Sequence, residues 1–397
     1  MQVLGRVSKS IGFEEVSLNS TISPPTGRPV DTLHSAVLDL SGLDRPGPRI
    51  VSLIPAHNEE DGIVKTVRSQ FAQSVQPALV IVMADNCTDD TVRLARAAGA
   101  QVVETVGNRA KKAGALNQGL ALVMPLLEDE DYILAQDADG ELSEDFVMNA
   151  LWAYDVKPNL GGVSGCIVAR TPNNFIERAQ AIEYARGTRL MGRQGGKVHV
   201  LSGAASLFPV QVFRAIAEAR GKSLPGAPGS VYMEDSLTED YELTLAIRHL
   251  GFDCTSTKRC PVVTDVMPTI QDLEVQRLRW YRGAMESLWL YGWNKITRRT
   301  WGGVAFTFFS SLLFPAALLA LVLSWLLWDI APNPIYWFLL PIFMAENIVT
   351  AYRTKDRASI RTAVLFVPLW LYDNAMFIVY WRSLFGAVRR EARVWIT

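Results

Sequence analysis

Four cysteines and four histidines in 397 residues are too few, and too scattered, for a metal centre built on soft ligands. Cys87, Cys166, Cys254 and Cys260 lack the paired short spacing that zinc sites use, so reduced, mostly structural thiols are expected. A formal net charge of −1 carries no excess of either sign, which argues against a nucleic-acid-binding chain. With 49% apolar residues, wholesale disorder is excluded as well. The N-terminus lacks a basic-then-apolar pattern; no signal peptide is expected, and the folded part is expected in the cytoplasm.

What is present begins at Arg49. Residues 1–48 are rich in Ser, Thr, Pro and Gly and read as an extended N-terminal arm, either a disordered leader or a segment that wraps the domain or a neighbouring subunit. From there short apolar runs alternate with amphipathic stretches. Strands are expected at 50–55, 79–83, 101–104, 132–136 and 162–169, with helices at 61–71, 89–98, 112–124, 143–154 and 173–193. That alternation predicts an α/β domain over 49–270 with a mostly parallel sheet and helices on both faces. Ser143 is the expected N-cap of the helix over 143–154.

The run Tyr132 to Gln136 ends in Asp137-Ala138-Asp139-Gly140. An apolar run of strand length that stops at acids delivers them to the carboxyl edge of a sheet, where open α/β folds bind ligands. Alternate residues of a strand share a face, so both carboxylates can meet one divalent cation that carries phosphates. The competing reading is an ordinary turn. Further on, Ser202-Gly203-Ala204-Ala205-Ser206 is a small-residue stretch that a ligand could approach closely. Glu234, Asp235, Glu239 and Asp240 crowd the start of a helix running to His249, more acids than capping readily explains.

Residues 271–300 mix Arg with Trp, Tyr and Leu, as helices at a membrane interface do, and Asp272 is a candidate N-cap there. The region 301–397 is hydrophobic. Residues 303–328 carry no charge and are long enough to span ~30 Å of hydrocarbon; 335–352 is apolar apart from Glu346, and 362–381 apart from Asp373. Lys295, Arg298 and Arg299 before the first segment, with Arg353, Lys355, Arg357 and Arg361 after the second, suit a two-span hairpin. A third span would place Arg389, Arg390 and Arg393 outside, so that segment is expected to be re-entrant, interfacial or packed on the other two. The alternative is a set of core or subunit-interface helices in a soluble homo-oligomer.

Six motifs stand in one order: Pro55-Ala56-His57-Asn58-Glu59-Glu60, Ala84-Asp85-Asn86-Cys87-Thr88-Asp89, Lys112-Ala113-Gly114-Ala115-Leu116-Asn117, Asp137-Ala138-Asp139, Thr238-Glu239-Asp240 and Gln276-Arg277-Leu278-Arg279-Trp280. Together they resemble the inverting family 2 glycosyltransferases, in particular the membrane-associated branch with the cellulose, chitin, hyaluronan and poly-N-acetylglucosamine synthases. The resemblance covers roughly 49–300. It implies a GT-A type fold and a UDP-sugar-dependent hexosyltransferase with Mn2+ or Mg2+ as cofactor.

It also implies roles. Pro55, Ala56, Glu59, Asp85 and Lys112 would bind the nucleotide, with Asp85 accepting from the uracil N–H, a donor a carboxylate suits. An Asx turn is the alternative for Asp85 and Asn86. Asp139, with Asp137 near the ribose, would hold the metal on the diphosphate. Asp240 would be the general base, tuned by Glu239 and its other acidic neighbours. Arg279 would grip the diphosphate, Gln276 add a hydrogen bond, and Trp280 offer its ring to a sugar. Ser202, Gly203 and Ala204 would line the acceptor site, while Arg277 could equally contact a lipid headgroup. The acceptor would be a glycan, a protein or a lipid-linked molecule, and with so few apolar segments processive export is not expected. A polyprenyl-phosphate sugar transferase and a non-catalytic sugar-nucleotide-binding scaffold remain alternatives.

Overall fold

Short, nearly continuous apolar runs, too short for helices and rich in Val and Ile, form the centre of the fold as buried strands. The computed structural model describes residues 38–44, 47–328, 335–364 and 366–389. Most of the N-terminal arm lies outside the described residues. At its described end, Leu38, Leu40 and Leu43 pack on the core, and Asp39 exchanges hydrogen bonds of 2.9 and 2.8 Å with Gln101 on the edge of the sheet.

In chain order the first half comprises β1 (Ile50–Ala56), α1 (Ile63–Phe71), β2 (Leu79–Ala84), α2 (Thr91–Ala97), β3 (Gln101–Glu104), α3 (Lys111–Val123) and β4 (Tyr132–Gln136). There follow β5 (Glu141–Leu142), α4 (Phe146–Val156), β6 (Leu160–Ala169), α5 (Phe175–Arg193), β7 (Ala205–Pro209), α6 (Val210–Ala219), α7 (Glu239–His249) and β8 (Asp253–Thr264). The C-terminal helices are α8 (Ile270–Tyr291), α9 (Arg298–Trp328), α10 (Ile335–Tyr352), α11 (Arg357–Val364) and α12 (Phe366–Val388).

The eight strands lie in the order β3-β2-β1-β4-β7-β6-β8-β5. β3, β2, β1 and β4 are parallel, as the alternation predicts. Beyond β4 the sheet is mixed: β7 runs antiparallel to both β4 and β6, while β8 is parallel to β6 and antiparallel to β5. Because α1 carries the chain from β1 to β2 on one side and β4 docks on the other, the carboxyl ends of β1 and β4 diverge into a crevice. On one face Leu53, Ile81 and Met83 pack with Leu116 and Leu120 of α3; on the other Ile54, Val80 and Val82 pack with Ile63 and Val67 of α1. Each such buried side chain contributes ~1.5–3 kcal/mol.

Two expected caps are corrected. α4 begins at Phe146, not at Ser143, whose hydroxyl is buried without a partner. α8 is capped by Thr269 rather than Asp272: Thr269 Oγ1 accepts from the Asp272 N–H at 3.2 Å and donates to the Asp272 carboxylate at 2.6 Å.

Among the described residues no single helix is both long and apolar enough to cross a membrane; α11 and α12, which meet at 86°, qualify only as a pair. The two acids that interrupt the apolar runs face the sheet domain. Glu346 pairs with Arg189 at 2.7 Å and Asp373 with Arg186 at 3.7 Å, both arginines from α5. α12 lies along α8, where Leu369, Tyr372, Met376 and Val379 meet Leu273 and Leu278. The outer sides of these helices keep large apolar groups exposed, among them Phe306, Leu313, Leu326, Ile342, Val367 and Ile378.

Candidate active site

The crevice collects the acidic motifs because each sits just past a strand end or in the first turn of a helix. Asp137 and Asp139 follow β4, Asp85 follows β2, Lys112 opens α3, and Glu239 and Asp240 open α7. Lys112 joins them: its Nζ lies 2.7 Å from Asp137 Oδ1 and 2.7 Å from Glu239 Oε1. Burial opposes the ammonium charge, but Asp137, Glu239 and Asp240 outweigh it and hold Lys112 protonated.

Asp240 is fixed by backbone donors. The N–H of Gly203 reaches Oδ2 at 3.0 Å and that of Tyr241 reaches Oδ1 at 2.7 Å. A Cβ at Gly203 would stand 2.5 Å from Lys112 Nζ and 3.4 Å from Asp240 Oδ2, so a side chain there would push the Lys112 ammonium off its place. Burial, then the charge of Glu239, pushes the Asp240 carboxyl up to about 6, against the pull of Lys112. Burial also disfavours charge on Glu239, yet the Lys112 ion pair and hydrogen bond hold that group below its ordinary value. One acid is thus kept ionised and its neighbour is moved toward neutral pH.

The remaining acids crowd each other. Burial and the Asp137 charge raise Asp139 to about 6, and burial with the charges of Asp139 and Asp137 raises Glu59 to about 7. Glu59, expected on the nucleotide, therefore stands beside the candidate metal acids. Thr264 Oγ1 donates to Asp139 Oδ2 at 3.3 Å, and among the described residues no cation pairs with the Asp139 carboxylate. No group of three or more His, Cys, Asp or Glu is placed to hold a metal among the described residues. A half-buried carboxylate raised first by burial and then by the charge of Asp137 fits a hard divalent cation whose other ligands come from substrate phosphate and water.

Asp85 is buried beside this cluster. Its Oδ1 accepts from Thr105 Oγ1 at 2.7 Å and Asn86 Nδ2 at 2.9 Å. The Asx-turn alternative falls to Asp89 instead, whose Oδ1 accepts the Thr91 N–H at 3.0 Å at the start of α2. Pro55 and Ala56 end β1, and the Ala56 carbonyl accepts the Asp85 N–H at 2.8 Å. Ser202 and Ala204 frame the floor: the Ser202 N–H donates to Ser164 Oγ at 2.8 Å, and the Ala204 carbonyl accepts the Asp137 N–H at 3.2 Å. Glu234 is engaged away from the base, accepting from Asn117 Nδ2 at 3.2 Å.

α8 brings the last motif to the rim. Arg279 is exposed, close enough for its charge to act on Lys111 and Glu239. Gln276 has a buried Oε1 with no partner, and Trp280 is half-buried. Arg277 is no headgroup contact: it is buried and paired with Glu183 at 3.0 Å. Sequence reasoning missed Thr105 and Thr264. No local signal marks either, because each meets its acid only through the fold.

A family model described as Glycosyl transferase family group 2 matches residues 132–349, a little over half of the chain. The structure is similar to that of a mannosyltransferase from Pyrobaculum calidifontis in complex with GDP-mannose and Mn2+. The two share 16% identity over 88% of this chain and 92% of that one, with a TM-score of 0.58. That likeness places the fold in the GT-A type. A glucosyl-3-phosphoglycerate synthase from Mycobacterium tuberculosis, solved with Mn2+, UDP and phosphoglyceric acid, is 20% identical over 61% of this chain and 78% of that one, with a TM-score of 0.39. No curated protein matches the chain.

Proposed function

Because the chain belongs to glycosyl transferase family group 2, we propose that it moves a hexosyl group with inversion from a UDP-sugar to an acceptor hydroxyl, with Asp240 as general base. The observation that carries this reading is the Asp240 carboxylate, aimed by two backbone N–H groups and raised to about 6 at the mouth of the crevice. Asp240 takes the acceptor's proton as that oxygen bonds to the anomeric carbon, and the bond from that carbon to the diphosphate oxygen breaks on the opposite face. Asp139, with Asp137, would hold Mn2+ or Mg2+, whose charge would offset that of the departing diphosphate. Arg279 adds a planar two-point donor to the same group, and Trp280 an aromatic face for a sugar. Lys112 keeps Asp137 and Glu239 together, so the nucleotide side and the base side keep a fixed spacing.

Asp85 supports a nucleobase with an N–H donor. Uracil offers one, and guanine offers donors of the same kind, so the donor panel must include GDP-mannose beside the UDP-sugars. The exposed apolar sides of α9, α10 and α12, flanked by Lys295, Arg298, Arg299, Arg353 and Arg357, support a membrane-associated tail with the site at the cytoplasmic surface. α8 lies against that tail, which favours an acceptor at the membrane, lipid-linked or a growing glycan. Nucleotide release from a panel of nucleotide sugars, with and without Mn2+, tests the reading, and organic extraction of product identifies a lipid acceptor. No release from any donor would refute the transferase reading; a full-length protein that purifies without detergent as a defined oligomer would refute the membrane reading.

A further inference from the structure

Trp280 stands at the end of a polar chain that starts in the C-terminal tail and runs through the part-buried Glu183. Glu183 of α5 accepts through one oxygen, Oε2, from two donors far away in sequence: Arg277 Nη2 at 3.0 Å and the Tyr372 hydroxyl of α12 at 2.8 Å. Arg277 is 4% exposed, and its guanidinium carbon stands 4.5 Å from the centre of the Trp280 ring and 6.0 Å from that of Tyr184. A buried arginine is held where its carboxylate and its aromatic faces put it, since leaving that charge unpaired would be costly. The guanidinium packs against the Trp280 ring, and Trp280 as a whole is half-buried.

We propose that Glu183, Arg277 and Tyr372 are positioning residues through which α12 sets the orientation of Trp280, and with it the alignment of the acceptor sugar. The proposal rests on the transferase reading for its kinetic consequence, but not for its structural one. It makes the tail part of the active-site scaffold as well as an anchor. α5 is tied to the same tail by the Arg186–Asp373 pair to α12 and the Arg189–Glu346 pair to α10, which keep Glu183 close to these helices.

The full-length protein carrying 5-fluorotryptophan reads this directly. Its 11 tryptophans give separate fluorine resonances, and loss of one in Trp280→Phe assigns Trp280. Tyr372→Phe, a loss of one hydroxyl expected to leave folding intact, should shift the Trp280 resonance, and Glu183→Gln should shift it further. Turnover of the donor found active should fall ~10-fold in Glu183→Gln and less in Tyr372→Phe, with UDP affinity by calorimetry unchanged, because misalignment acts on the rate and not on the nucleotide pocket. Arg277→Lys should not rescue, as an ammonium lacks the planar group that lies on the ring. A Trp280 resonance unmoved in both Tyr372→Phe and Glu183→Gln overturns the coupling, and a moved resonance with wild-type turnover overturns the positioning role. Absence of wild-type turnover would refute the transferase reading alone, while the resonance would still decide the coupling.

Discussion

Apolar packing supports the sheet on both sides of β4, but only one of the two sides adds a fully buried ion pair among the described residues. β3, β2 and β1 are held by apolar packing on both faces, with β1 and β2 buried along their whole length. The half that carries Asp240 has an apolar core too, with Phe146, Val163, Leu207 and Val262 in it, and adds to that core a buried ion pair. Arg220, fully buried, meets both carboxylate oxygens of Glu242 at 2.5 and 2.7 Å, and also donates to the carbonyls of Pro225 and Val231. Tyr291 at the end of α8 donates to Glu242 Oε1 at 2.5 Å. One carboxylate, two residues past the candidate base, thus ties α7, the loop before it and α8 together. Apolar packing degrades gradually when trimmed, whereas a buried charge that loses its partner fails abruptly. The half before β4, which carries the proposed binding residue Asp85 and is the binding half in this sense, should therefore tolerate trimming, while the half around Asp240 has beside its apolar core one pair that demands a single geometry.

The sharpest way to break that comparison is at Glu242. Glu242→Ala leaves Arg220 buried without its partner and should cost ~3–5 kcal/mol in denaturant unfolding, with α8 loosened from α7. A loss of under ~1 kcal/mol would mean that water reaches Arg220 and that this half is not held by the pair.

Next in size is the effect at Asp240, the proposed base. Asp240→Asn keeps the size of the side chain and one of its two backbone contacts, replaces the other acceptor by an NH2 group and cannot take a proton, so transfer should fall ~10²-fold or more while donor affinity is retained. The carboxyl works when ionised, so the rate should also fall as pH drops through about 6, the value to which burial and Glu239 raise it. A flat rate profile across that range, or normal transfer at saturating donor, would move the base to Glu234, Asp235 or Glu239. Asp139→Asn belongs to the other side of β4: it should remove the Mn2+ dependence of UDP binding by calorimetry and leave the fold intact. Unchanged metal-dependent affinity would exclude Asp139 from a cation site.

The same division explains what the residues alone reveal. β1 to β4 follow one another as strand and helix, each pairing with a near neighbour, so local periodicity finds them and delivers Asp85, Asp137 and Asp139 to one edge. β7 and β8 escape such reading. β7 is a short run that reads as a ligand-facing loop, and β8 holds Lys258, Arg259 and Pro261 and pairs with β6 across a register shift near Ser164 and Cys166. Asp240 is legible because four acids, Glu234, Asp235, Glu239 and Asp240, crowd a helix start and exceed what capping needs, while Thr264 is not, as it lies 125 positions from Asp139. Arg277 misleads for a related reason: an arginine among aromatics on an amphipathic helix looks like an interface contact until Glu183 and Tyr372 arrive from elsewhere in the chain.

The smallest expected effect tests the tolerant half. Ile81 is fully buried in β2 between parallel neighbours and faces α3 with Leu53 and Leu116. Ile81→Val removes one methyl group, keeps the β-branched shape that suits a strand, and leaves a cavity smaller than a water molecule. The loss should be ~0.5–1.5 kcal/mol in denaturant midpoint terms, with the slope of the transition unchanged. UDP affinity and transfer rate should stay at wild type, because Asp85 is placed at the strand end by its backbone bond to Ala56 and by Thr105, neither of which the missing methyl touches. A transfer rate lowered tenfold or more by so small a change would show that the binding half is as geometrically exacting as the half around Arg220, and the contrast between them would fall.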